Sequence, residues 1–195
     1  MTAMQRTLFD IVCHGASRLY DEVNQILEFA YKPHQAGPYT SVSFGEIQAI
    51  ITQIGQELEL SSLTVTMAQP LLNEARIPLT KQSTELILRE ILHNAQKFHP
   101  ERSPTIEIGL AVSSNQVTLT IADDGLTLSP EQLAKIWTPY YQGEKNFTGE
   151  VPGMGLGLAH IASIVWSIGG TCHLYNRKAG AGVVIELLLP LTHPE

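Results

Sequence analysis

Glu90, Asn94 and Lys97 recur at i, i+4 and i+7 in the run Arg89-Glu90-Ile91-Leu92-His93-Asn94-Ala95-Gln96-Lys97-Phe98. On a helix that spacing makes one polar stripe of a carboxylate, an amide and an ammonium. Leu88, Ile91, Leu92 and Ala95 cover much of the remaining surface and would pack against a sheet. Downstream, Ile121-Ala122-Asp123-Asp124-Gly125 runs an apolar strand into two carboxylates and a glycine that lets a ligand come close. Gly153-Met154-Gly155-Leu156-Gly157-Leu158-Ala159 then places glycines at every second position before an apolar helical run. Such a backbone tolerates positive φ, and the helix that follows presents unpaired N–H groups and a positive dipole end. That combination suits an anion such as phosphate.

The elements that must position these groups read as follows. Residues 4 to about 30 form a helix with a heptad seam of Val12, Ala16, Leu19, Val23, Ile26 and Ala30. Lys32-Pro33-His34-Gln35-Ala36-Gly37-Pro38 breaks it and makes a linker. The expected order is then helix 44–58, strand 63–67, a loop, helix 81–98, and strands 104–112 and 116–122. Ser129-Pro130-Glu131-Gln132 opens a helix ending near Trp137, with an N-cap serine, a proline at the first position and a capping-box glutamine. Helix 155–168 closes at Gly169-Gly170, and strands 171–176 and 182–189 finish the chain before Pro190. Helices alternating with antiparallel-type strand pairs predict a two-layer α/β (α+β) sandwich, its helices on one sheet face. The expected division is an N-terminal helix over 1–31, a linker over 32–43 and a globular domain over 44–192.

At 195 residues the chain suits one domain with a helical appendage. Its hydrophobic fraction of 44% describes a soluble globular protein, and no apolar run reaches the roughly 20 residues that span a membrane. Met1-Thr2-Ala3-Met4-Gln5-Arg6 lacks the features of a signal peptide. Cys13 and Cys172 are spaced as neither a metal site nor a disulfide framework, which points to the cytoplasm. A net charge of −7 argues against nucleic acid as a partner. Any nucleotide must be held by local groups.

With Trp137-Thr138-Pro139-Tyr140-Tyr141-Gln142 between them, these motifs resemble, in order, the N, G1, F and G2 boxes of the histidine-kinase-like ATPase superfamily. The resemblance covers roughly residues 45 to 190 and is closest to the catalytic, ATP-binding domain of two-component sensor kinases. It implies a Bergerat-type fold with a mixed, largely antiparallel sheet, nucleotide between the helices, and a lid over about 143–152. It implies ATP and Mg²⁺ as cofactors and the roles that follow. Asp123 accepts a hydrogen bond from the adenine amino group, beside Gly125. Asn94 supplies an oxygen to Mg²⁺. Glu90 orients or deprotonates an attacking group, or stands behind the magnesium ligands, and Lys97 reaches a phosphate as a point charge. Trp137 and Tyr140 anchor the base of the lid, and Tyr140 and Tyr141 belong to the ATP-binding set. Gly153, Met154, Gly155, Leu156, Gly157 and Leu158 cradle the phosphates. Thr127 departs from the pattern, which has a second glycine there; a β-branched residue is poor at positive φ.

The phosphoacceptor is not legible. His14 is followed by Gly15-Ala16-Ser17-Arg18-Leu19, without the acidic neighbour and proline usual in sensor kinases, and is read as an ordinary helix-surface histidine. The expected partners are a response regulator or a histidine-bearing dimerisation domain, and a second copy through residues 8–30. Two alternatives share the fold: an anti-sigma-type serine kinase, and a non-catalytic module that holds nucleotide, or none, and signals by docking.

Overall fold

The computed structural model describes residues 4–9, 12–13, 15–16, 41–67, 76–113, 116–142 and 155–192. Strand Val42–Ser43 (β1) leads into helix Phe44–Glu57 (α1), followed by strands Ser62–Met67 (β2) and Arg76–Ile77 (β3) and the long helix Lys81–Phe98 (α2). Strands Thr105–Val112 (β4) and Gln116–Asp123 (β5) precede the short helix Pro130–Lys135 (α3). Helix Gly157–Ser167 (α4) and strands Thr171–Asn176 (β6) and Val183–Pro190 (β7) complete the order.

Five strands form a sheet in the order β2-β4-β5-β7-β6. Among the described residues the β2–β4 pair is parallel, and β4–β5, β5–β7 and β6–β7 are antiparallel. The expected mixed, largely antiparallel sheet is therefore present. Alternation fixes its two faces: Ile106, Ile108 and Leu110 on β4, Val117, Leu119 and Ile121 on β5, and Ile185, Leu187 and Leu189 on β7 are buried. Their neighbours Thr105, Glu107 and Ala111 are exposed, as a sheet packed on one side requires. The covering layer is α1, α2 and α4, whose Ile51, Ile54, Leu88, Leu92, Ile161 and Val165 join the same cluster. Each such side chain stabilises the fold by about 1.5–3 kcal/mol.

Local signals set the helix limits. Ser43 and Glu46 form a reciprocal capping box at the start of α1, and Ser129 and Gln132 do the same for α3. Helix α3 stops at Lys135, two residues short of the expected end, and buries no side chain. Helix α4 starts at Gly157 because Gly155 has φ +70. It ends in a Schellman arrangement, with Gly169 at φ +79 and the Gly170 N–H donating to the Val165 carbonyl at 2.9 Å.

A second, two-stranded sheet is also present. Val42–Ser43 pairs antiparallel with Arg76–Ile77, and Arg76 also bridges to Thr192. Arg76 further donates from Nε to Ser41 Oγ at 2.6 Å, so residues 41–43, expected in the linker, are tied to the sandwich. Of the N-terminal segment, 4–9, 12–13 and 15–16 are helical and exposed. Leu19, Val23, Ile26 and Ala30 of the expected seam, and His14, lie outside the described residues.

Candidate functional site

Helix α2 is the wall on which the site is built. Thr80 caps it by accepting the Ser83 N–H at 2.9 Å. Thr84, Ile87, Leu88, Ile91, Leu92 and Ala95 recur at helical spacing and bury one face against the sheet. One flank is engaged by Arg89, which reaches Glu57 of α1 at 2.7 Å and Glu85 at 3.0 Å. The other flank carries Glu90, Asn94 and Lys97, all partly buried. Burial lowers the pKa of the Lys97 ammonium; Glu90 opposes the shift and Arg102 adds to it. Lys97 Nζ also sits 5.0 Å from the centre of the Phe98 ring.

Glu90 does not point into open solvent. A Cβ added at Gly157 would collide with its carboxylate, so the first residue of α4 is in direct contact with the α2 stripe. Leu156, the N-cap of α4, offers no side-chain acceptor, which leaves the first-turn N–H groups without a cap from that residue. Gly155 is equally constrained: at φ +70, an added Cβ would lie 2.5 Å from the Tyr141 carbonyl oxygen. The Tyr140 N–H donates to the Gly155 carbonyl at 3.0 Å. Residues 137–141 are thus tied to the glycine turn through backbone, while Tyr140 is 63% exposed and its φ is +65. Trp137 packs against the core. Leu158 is partly buried at the same end of α4, whereas Gly153, Met154 and the lid expected over 143–152 lie outside the described residues.

Asp123 ends β5 in a tight turn, its Oδ1 accepting the Gly125 N–H at 2.9 Å. Burial raises its carboxyl above the ordinary aspartate range; the Gly125 and Val183 N–H groups and Arg177 pull the other way, and Asp124 adds to the rise. Gly125 rests on the end of α2: an added Cβ would lie 3.7 Å from His99 Cα and 3.8 Å from the Phe98 carbonyl oxygen. Thr127 is exposed, and the described non-glycine residues with positive φ are Glu59, Arg102 and Tyr140. The missing second glycine therefore imposes no left-handed strain at this position.

The β6–β7 turn, which none of the motifs includes, clamps the Asp123 segment from behind. Gly182 has φ +103 and packs so closely on the Asp123 carbonyl that no Cβ fits there. Asn176 pairs with the Leu128 backbone, donating to its carbonyl at 2.8 Å and accepting its N–H at 2.9 Å. Arg177 spans the Asp123 carbonyl at 3.5 Å and Glu107 at 3.1 Å. The only trace of this in the sequence is Gly180-Ala181-Gly182 between two strand patterns.

An α/β sandwich with a carboxylate at the end of β5 and a glycine turn at the head of α4, both resting on α2, is the arrangement of a nucleotide-binding ATPase domain. The chain belongs to the histidine kinase-, DNA gyrase B-, and HSP90-like ATPase family, whose profile matches residues 81–193. It is 27% identical over 199 residues to the autoinducer 2 sensor kinase/phosphatase LuxQ of Vibrio cholerae serotype O1, covering 96% of this chain and 22% of LuxQ. It is 32% identical over 109 residues to the sensor protein RstB of Escherichia coli K12, covering 56% of this chain and 24% of RstB. The chain thus spans under a quarter of the length of these relatives. Among solved structures, full-length ShkA in complex with AMPPNP superposes with a TM-score of 0.73 at 20% identity, over 100% of this chain and 40% of ShkA. At that identity the likeness establishes the fold.

Proposed function

We propose that residues 44–192 are the ATP-binding catalytic domain of a two-component histidine kinase. In this reading ATP lies along α2, its adenine at Asp123 and its phosphates between Lys97 and the Gly153–Gly157 turn. The observation that carries it is that α2 touches both motifs: Glu90 meets Gly157, and the Phe98–His99 end meets Gly125. Eight residues separate those contacts, about 12 Å along a helix. The reaction moves the γ-phosphoryl group to an imidazole nitrogen, breaking a P–O bond to leave ADP and forming an N–P bond as the imidazole loses its proton. Lys97 and the first-turn N–H groups of α4 stabilise phosphate charge, and Glu90 orients or deprotonates the attacking group. The Asn94 amide oxygen beside the Glu90 carboxylate is hard-oxygen chemistry that fits Mg²⁺. When bound, that ion neutralises charge on the phosphates. The acceptor histidine belongs to a dimerisation domain upstream or on a partner, and the phosphoryl group passes on to a response regulator. Family membership and similarity to sensor kinases support this placement, and we assign the domain to the cytoplasm.

Titration with a fluorescent ATP analogue, with and without Mg²⁺, tests the binding half. Expected is Mg²⁺-dependent binding in about the micromolar to millimolar range, since a lid must order itself on the ligand. Transfer of label from γ-labelled ATP to a histidine-bearing dimerisation domain tests the chemistry. Label appearing instead as alkali-labile phosphoserine would favour the serine-kinase alternative, and tight binding without transfer would favour a docking module.

The N-terminal helix is assigned to assembly. Met4, Leu8, Phe9 and Val12 are 75%, 55%, 61% and 66% exposed, so the described part of its apolar side does not fold back onto the sandwich. Such stripes bury against a partner. Light scattering should give a dimer for the full chain and a monomer after removal of residues 1–31; a monomer for both would remove the assignment.

His14 is not the acceptor in this reading. Gly15 stands where the acidic neighbour is usual and weakens the helix by about 1 kcal/mol relative to alanine. Phosphoryl transfer requires in-line approach within about 3–3.5 Å, which a helix so weakened holds poorly. Incubation with γ-labelled ATP should leave the chain without acid-labile, alkali-stable label. Labelling that disappears in His14→Gln would make it a self-contained kinase.

A further inference from the structure

His99 belongs to none of the motifs read from the sequence, yet it lies where the two ends of the site meet. It closes α2 as the C-cap, its N–H donating to the Ala95 carbonyl at 3.1 Å. Its Nδ1 accepts the N–H groups of Glu101 at 3.2 Å and Ser103 at 3.3 Å, and its carbonyl accepts the Arg102 N–H at 3.0 Å. These bonds define a turn in which Arg102 is held at φ +54, a conformation that a non-glycine residue adopts only when its surroundings impose it. Because Nδ1 is an acceptor, a neutral ring carries its proton on Nε2. Nε2 lies 3.5 Å from Asp124 Oδ1, and the His99 side chain is only 12% exposed. The same Oδ1 accepts the Thr105 N–H at 2.8 Å.

We propose that His99 is a positioning residue for nucleotide recognition. It locks the end of α2 that carries Asn94 and Lys97 to the Asp123–Gly125 turn, acting through Asp124. This rests on the ATP-binding reading above. Asp124 is the residue between the adenine-recognising carboxylate and the glycine of its turn. A swing of Asp124 rotates the shared peptide plane and carries the Asp123 carboxylate with it. On the β7 side the turn is held by Gly182 and Arg177, which grip the Asp123 backbone. On the α2 side the contacts are those of Gly125 with Phe98 and His99, and of Asp124 with the imidazole. Lys97 stands in the last turn of α2, the part of a helix that frays first when its cap is lost. One side chain thereby sets the spacing between the phosphate-facing and base-facing halves.

The test compares wild type, His99→Ala, His99→Asn, Asp124→Asn and the double variant His99→Asn/Asp124→Asn. Mg-ATP and Mg-GTP titrations are run by calorimetry, with melting temperature measured in parallel. Asparagine at 99 keeps an acceptor for the backbone turn but is too short to face Asp124. Asparagine at 124 keeps the acceptor for the Thr105 N–H but loses the charge facing the ring. Each single asparagine variant is expected to lose about fivefold to tenfold in Mg-ATP affinity, with its preference over Mg-GTP narrowed and its Tm close to wild type. The double variant should lose no more than either single, the mark of two residues acting as one device. Were His99 merely structural, affinity would track Tm across the set, and His99→Asn would restore both. Wild-type affinity in His99→Asn, or losses that multiply in the double variant, overturns the proposal. Absence of Mg-ATP binding by the wild type is a separate outcome, which removes the ATP-binding reading and this proposal with it.

Discussion

Gly182→Ala should abolish measurable ATP binding and lower the melting temperature, although residue 182 stands on a hairpin that none of the family-like motifs includes. Two effects add at this site. Alanine resists the φ of +103, and its Cβ would be driven into the Asp123 carbonyl and to 2.8 Å from Asp124 Cα. Overpacking and left-handed strain together cost about 2–4 kcal/mol, or roughly 5–15 °C for a domain of this size. Relief requires the Asp123–Gly125 turn to move away from β7, which displaces the carboxylate we propose for adenine recognition. Gly180→Ala is the matched control: its φ is +81, but nothing stands within 4 Å of an added Cβ. That variant should lose only about 1 kcal/mol and retain its nucleotide. Equal tolerance of the two substitutions, by calorimetry and thermal melting, would show that close approach to Asp123 is not what the glycine provides.

Asp123→Asn should separate function from stability. A hydrogen bond to a charged group contributes about 1.5–3 kcal/mol, so Mg-ATP affinity should fall roughly tenfold to a hundredfold, with GTP little affected. Stability should move the other way. Burial holds the Asp123 carboxyl above the ordinary aspartate range, so the folded chain binds that proton more tightly than the unfolded chain does. The stability this proton contributes is present in acid and is lost as pH rises through the folded-state value. Once ionised, the half-buried carboxylate therefore costs the fold stability relative to its protonated form. The asparagine variant should melt at or above the wild-type temperature at pH 7.5, with the difference shrinking as pH falls through the raised value. A lower melting temperature at neutral pH would mean that the charge is held for stability. Unchanged ATP affinity would remove Asp123 from adenine recognition.

Much of this molecule was legible before any coordinates. Helix 81–98, strands 116–122 and 171–176, and the capping box at Ser129 follow from periodicity and local hydrogen-bonding chemistry, and the structure has them within a residue or so. The polar stripe Glu90, Asn94 and Lys97 follows from helix geometry alone, because three or four residues bring side chains to one flank. Family membership was legible for the same reason: each box is a short run whose function depends on its own local backbone.

Long-range pairing was not legible. The parallel β2–β4 register and the small β1–β3 sheet depend on which strands meet, which no local pattern encodes. Nothing local marks His99, just past helix 81–98, or Gly180-Ala181-Gly182, between two strand patterns, as part of the site. Their positions against Asp124 and Asp123 arise from contacts 25 and 59 residues apart in sequence. The sequence by itself determined the local pattern of the proposed site, since residue type and local spacing set its hydrogen-bonding and charge. Only the tertiary structure decided what holds them in place, because clamping a turn requires two distant backbones to close on it.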